Sequence, residues 1–153
     1  MSEINLPKET LGKEAFKTLP AKEKEEYLNN LLKKILDLNP GGITTSQIRD
    51  AIGISSSTIW HHLEILKGNA QIRKISRGNM DVYYPFGKVN HLKDYNKNNV
   101  TYSLCTVENE DGSFVCIYEK RRNRFGSSTV LRGIALPIDL IDSFVKTLNK
   151  VKK

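Results

Sequence analysis

Two clusters of residues have the types and spacing to do chemistry. In the first, Ser55, Ser56, Ser57 and Thr58 stand in succession at the start of an apolar-periodic stretch. Small polar side chains at a helix start reach base edges and phosphates without clashing with a groove, and the free N–H groups there can hold a phosphate. The same residue types are ordinary helix caps, and for Ser55 and Ser56 that reading carries equal weight. His61 and His62 follow in mid-helix, His61 as a candidate contact to phosphate or base and the other as a packing residue. Lys67, Arg73, Lys74 and Arg77 fall within eleven residues that include no acid. Such a stretch suits phosphate neutralisation and minor-groove insertion, the plainer alternative being a solvated basic face. Asn79 completes this set at a polar turn beside Arg77.

The second cluster is Lys120-Arg121-Arg122-Asn123-Arg124, with Tyr118 and Phe125 beside it. Positions 114, 116 and 118 of a strand share one face. Phe114 and Tyr118 are therefore either stacking surfaces for a single strand next to positive charge or core residues beneath a helix. No catalytic constellation is visible: there is no glycine-rich phosphate loop, no His–carboxylate pair and no Ser or Cys in an activating context. Two cysteines, Cys105 and Cys116, are too few for a zinc site or a disulfide framework. A two-residue Asp111-Gly112 loop would make them diagonal neighbours on one strand face. No cofactor, no metal and no enzymatic activity are expected.

The elements that must position these residues follow from periodicity. Tyr27, Leu28, Leu31, Leu32, Ile35 and Leu38 make one apolar stripe of a helix that starts near Pro20 and stops at Asn39-Pro40-Gly41-Gly42. Thr45 suits the cap of a short helix over Ser46–Ile52, and Gly53 breaks it. A further helix from Ser55-Ser56 to about Lys67 buries Ile59, Leu63 and Leu66. Two helices joined by a short glycine turn are a helix-turn-helix signature. Strands over Ile72–Ser76 and Val82–Tyr84 around a polar tip add a wing. Residues 86–100, rich in Lys and Asn, have no clear period and read as a linker. Strands follow at Tyr102–Glu108, Ser113–Arg121 and Ser128–Ala135. Pro137 then opens a helix with Ile141, Phe144, Val145, Leu148 and Val151 on one side.

The run Ser56-Ser57-Thr58-Ile59-Trp60-His61-His62-Leu63-Glu64-Ile65-Leu66 resembles the recognition helix of ArsR- and MarR-type winged-helix regulators. The likeness continues through Ile72-Arg73-Lys74 to Val82-Tyr83-Tyr84. Trp60 stands where those families usually carry a small or polar residue, and the metal-sensing cysteine pair is missing, so metal sensing does not carry over. The stretch Arg132-Gly133-Ile134-Ala135-Leu136-Pro137 entering an amphipathic helix resembles the positive-cofactor-four coactivators and the Pur-alpha repeat. That likeness implies a curved antiparallel sheet crossed by a helix, dimerisation, and single-stranded nucleic acid bound on the sheet.

Length and charge agree with this reading. The 153 residues suffice for two small domains, and 24 Lys+Arg against 17 Asp+Glu give a formal charge of +7, which suits a phosphate-bearing partner. The start of the chain lacks the apolar core of a signal peptide, and no run is apolar enough to span a bilayer. A cytoplasmic protein without a membrane partner is expected, with a nuclear location left open by the KRR run. The expected class is α+β: an arm over 1–19, a winged helix-turn-helix over 20–86, a linker over 87–100 and a β-β-β-α domain over 101–153. The expected function is that of a homodimeric transcriptional regulator or chromatin-associated protein. The winged helix would bind duplex DNA, and the C-terminal sheet single-stranded DNA or RNA. The alternatives are a repressor with a C-terminal ligand sensor and a winged-helix protein-interaction module.

Overall fold

The computed structural model describes residues 3–8, 10–122 and 128–151. The chain forms two compact units, Met1–Phe86 and Gly87–Lys153. The first is mainly helical. The second is a four-stranded antiparallel sheet followed by a helix, so the class is α+β as expected.

In the first unit a short helix α1 (Lys13–Lys17) precedes α2 (Ala21–Leu38), α3 (Thr45–Ile52), α4 (Ser56–Gly68) and the hairpin β1 (Ile72–Arg77) and β2 (Met80–Pro85). The α2 stripe buries Leu28, Leu31, Leu32 and Ile35. Leu36 takes the last buried place and Leu38 faces solvent. These side chains meet Ile43, Ile48, Ile59, Leu63, Leu66, Ile72 and Tyr83 in one core. The arm is tied to it. Asn5 and Asn39 exchange hydrogen bonds at 2.9 and 2.8 Å, the Leu11 N–H donates to the Tyr27 hydroxyl at 2.7 Å, and Ile4 and Phe16 pack on the core.

Caps define the helix-turn-helix. Thr44, one residue before the expected position, caps α3 in a reciprocal box with Gln47. Gly53 ends α3 in the left-handed conformation at φ 73°, and Ser55 caps α4. The wing pairs Arg77 with Met80, so its tip is only Gly78-Asn79. Ile43 bridges to Tyr83 by N–H···O bonds of 3.0 and 2.8 Å, which fastens the segment before α3 to the wing. Gly42 makes this approach possible. Its φ is +95°, and a Cβ there would lie 2.5 Å from the Tyr84 ring.

The second unit is a meander of β3 (Lys88–Lys97), β4 (Val100–Asn109), β5 (Gly112–Arg122) and β6 (Ser128–Pro137). The segment expected to be a linker is thus the edge strand β3. It is exposed on both faces, so nothing forced its sequence to alternate apolar with polar residues. Gly87 at its entrance lies so close to the Glu108 carbonyl that any Cβ would collide with it. Extra residues bulge at Leu92 in β3 and at Leu131 in β6. The β4–β5 turn has Glu110-Asp111 at its tip. This shifts the register from that expected and sets Cys105 directly opposite Cys116, both buried as free thiols. After β6 comes a single 3-10 turn (Ile138–Leu140) and then α5 (Ile141–Val151), so Pro137 caps the turn and the helix proper starts later than expected. The anticipated α5 stripe is present but uncovered, with Phe144, Val145, Leu148 and Val151 all exposed. Among the described residues no helix is long and apolar enough to cross a membrane.

Candidate nucleic-acid interface

The serine run forms the start of α4. Ser55 accepts from the Thr58 N–H at 3.4 Å and donates to its hydroxyl at 2.9 Å, so it acts as a cap. Ser56 accepts from Arg49 of α3 at 3.3 Å. Ser57 and Thr58 are exposed. Arg49 brings positive charge to this helix start and was missed from sequence, because it lies on the preceding helix beyond the Gly53 turn. It also contacts Asp50 at 3.0 Å.

Along α4 the buried side chains Ile59, His62, Leu63 and Leu66 define one side. The opposite side carries Ser57 and His61, flanked by Trp60 and Ile65. Trp60 is 49% exposed, so core packing does not occlude it. The two histidines divide between surface and core. His61 is exposed. His62 is buried with Nδ1 2.7 Å from Asn29 Oδ1 of α2, which makes Nδ1 the protonated nitrogen of the neutral ring. Burial, and next the neighbouring His61, lower the pKa of His62, while Glu25 opposes them.

The basic stretch is less uniform in space than in sequence. Glu64 of α4 accepts from Lys67 at 3.3 Å, from Lys74 of β1 at 3.3 Å and from the Tyr83 hydroxyl of β2 at 3.1 Å. Burial pushes the Glu64 carboxyl up, but the hydrogen bonds from Tyr83, Lys74 and Lys67 outweigh it and hold it below its usual value. Burial and then Glu64 raise the Tyr83 phenol. Lys74 also lies 4.0 Å from Asp81. The expected phosphate contact Lys74 is therefore a strut between wing and helix, and Lys67 shares its acid. Arg73 is half-buried, whereas Arg77 and Asn79 are exposed at the wing tip.

Strand pairing divides the second cluster. Tyr118 lies on the sheet face of Ser103, Cys105, Val107 and Cys116. It is only 8% exposed, and burial raises its phenol above the ordinary value. It is a buried residue and offers no stacking surface to a single strand, contrary to the expected role. Lys120 and Arg122 alternate onto that face and Arg121 onto the other, so the run is not one basic surface. Arg124 and Phe125 lie outside the described residues.

The opposite face carries an aromatic pair that sequence reasoning missed. Tyr95 of β3 and Tyr102 of β4 are register partners, 53% and 41% exposed. Lys93 stands 5.1 Å from the Tyr95 ring centroid, and the neighbouring row holds Lys97, Val100 and Arg121. Across the sheet Glu119 and Arg132 pair at 2.9 Å. On the Tyr118 face Asp94 accepts from Ser103 and from His91, which together hold its carboxyl low. Compared with protein-family models, with curated proteins and with solved structures, the chain matches none.

Proposed function

We propose that this chain is a cytoplasmic, homodimeric DNA-binding protein, a transcriptional regulator or an architectural protein of the chromosome. The observation that carries the reading is the α4 surface. Its polar start, Ser57 and Thr58, and His61 are solvent-facing, and the same unit presents Arg77, at the end of β1, and Asn79, in the two-residue tip, exposed on the wing. Duplex DNA fits both parts: a helix start in the major groove and a cationic hairpin on the backbone or in the minor groove. The formal charge of +7 supplies attraction at long range.

Two further elements support the rest of the proposal. The uncovered apolar stripe of α5 suits a second copy of the chain, which would present two winged helices to a symmetric site. The Tyr95–Tyr102 pair beside Lys93, Lys97 and Arg121 suits single-stranded DNA or RNA, because exposed rings stack on any base and nearby cations follow the backbone. Titration of the full chain with duplex DNA, single-stranded DNA and RNA at two salt concentrations tests this. Duplex affinity should fall steeply with salt. No duplex binding at low salt would overturn the proposal.

A further inference from the structure

We infer that Trp60 reads the C5-methyl group of thymine in the major groove, so that the preferred duplex is thymine-rich on the strand facing α4. This rests on the duplex reading proposed above. The protein has one tryptophan, and the fold leaves it 49% exposed although the same helix buries Ile59, Leu63 and Leu66. Trp60 is absent from the core cluster, so the packing of the unit does not account for it. It lies three residues after Ser57 and one turn before Glu64, on the flank from which Glu64 reaches the wing. Ile65 is exposed on the other flank.

A base-reading helix usually needs polar groups, because the groove floor is mostly hydrogen-bond donors and acceptors. The thymine methyl is its one apolar feature. The apolar bulk of an indole on this surface finds its complementary partner there. Against cytosine it would cover the N4 donor with no acceptor to offer, and against guanine its single N–H could satisfy only one of O6 and N7. The nearest acid, Glu64, is held by Tyr83, Lys74 and Lys67 and by that arrangement is not directed at cytosine N4. The charged parts of the surface, Arg49 and Arg77, suit phosphates and leave the base contact to the apolar side chain.

The test uses the full chain and two short duplexes. One is built only of A·T pairs in mixed order. The other is the same duplex with uracil in place of every thymine. Charge, pairing and the minor-groove edge are the same in both, and only the methyl groups are gone. The native chain should bind the thymine duplex more tightly, by about fourfold for each methyl covered. Trp60→Ala should remove the difference between the thymine and uracil duplexes. Trp60→Phe should keep part of the difference. As the side chain is exposed, neither change should alter the thermal transition. Emission of the single tryptophan should shift on binding the thymine duplex. Equal affinity of the native chain for both duplexes, or unchanged emission while anisotropy reports binding, would overturn the inference and leave the duplex reading standing. A thymine preference that survives in Trp60→Ala would overturn it equally, since groove shape would then be its source. Failure to bind either duplex would remove both this inference and the reading beneath it.

Discussion

The Tyr83 hydroxyl donates to Oε2 of Glu64 across 3.1 Å, joining the buried base of the wing to α4. With Lys74 and Lys67 on the same carboxylate, this sets how helix and hairpin meet one surface. Tyr83→Phe removes one hydrogen bond to a charged acceptor and should cost about 1.5–3 kcal/mol in chemical denaturation. Hydrogen exchange in β1 and β2 should rise with it. An unchanged denaturation midpoint would show that the bond contributes nothing.

Glu64→Gln separates structure from binding. The glutamine keeps the shape but releases two lysines from their acid. Stability should fall while duplex affinity at low salt rises by several-fold, because Lys67 and Lys74 become available to phosphate and a negative charge leaves the surface. Affinity falling in proportion to stability would contradict this.

The ion cluster also marks the limit of what sequence could reveal. Lys67 to Arg77 is free of acid along the chain, but Glu64 and Asp81 enter the same space from either side. The α2 stripe and the wing were legible because burial on one side imposes a period on neighbouring residues. Strand β3 was not, since no burial shaped Lys88–Lys97, and with it went Tyr95 and its cross-strand partner Tyr102. The cysteine register failed by the choice of turn: pairing Asn109 with Gly112 moves every partner across β4 and β5.

Arg77→Ala tests the wing. The side chain is exposed at the tip, so its loss should leave stability within about 0.5 kcal/mol. Duplex affinity should weaken across all sequences, and the salt slope should flatten by about one unit. Lys74→Ala, by contrast, should lower the denaturation midpoint. An unchanged slope in Arg77→Ala would show that the wing tip makes no phosphate contact.

His62 makes the α2–α4 contact sensitive to pH. Its pKa in the fold lies below the ordinary value of 6.5, with burial the main cause. As pH falls, the unfolded chain takes up this proton before the folded chain does. The contribution of the neutral ring is complete above about pH 6.5 and is lost as pH drops through that value toward the lower, folded pKa. The denaturation midpoint should therefore fall between pH 7.5 and 5.5, and it should fall less in His62→Gln. Parallel pH profiles of the two proteins would refute the assignment.

The two faces of the C-terminal sheet can be told apart by two tyrosines. Tyr118 is buried beside Cys116, so Tyr118→Ala should behave as a large-to-small core change and cost about 3–5 kcal/mol. Tyr102 is exposed beside Tyr95, so Tyr102→Ala should leave the thermal transition nearly unchanged. If a single strand lies on that face, each stacked base contributes about 1–3 kcal/mol, and Tyr102→Ala should weaken single-strand binding about tenfold or more. Duplex binding by the N-terminal unit should stay the same. Arg121→Glu should weaken the same complex through charge, while Arg122→Glu on the opposite face should do less. Thermal stability and both affinities measured on this set separate the outcomes. A stable Tyr102→Ala protein with intact single-strand affinity would remove the sheet from nucleic-acid binding and leave the second unit to self-association through α5.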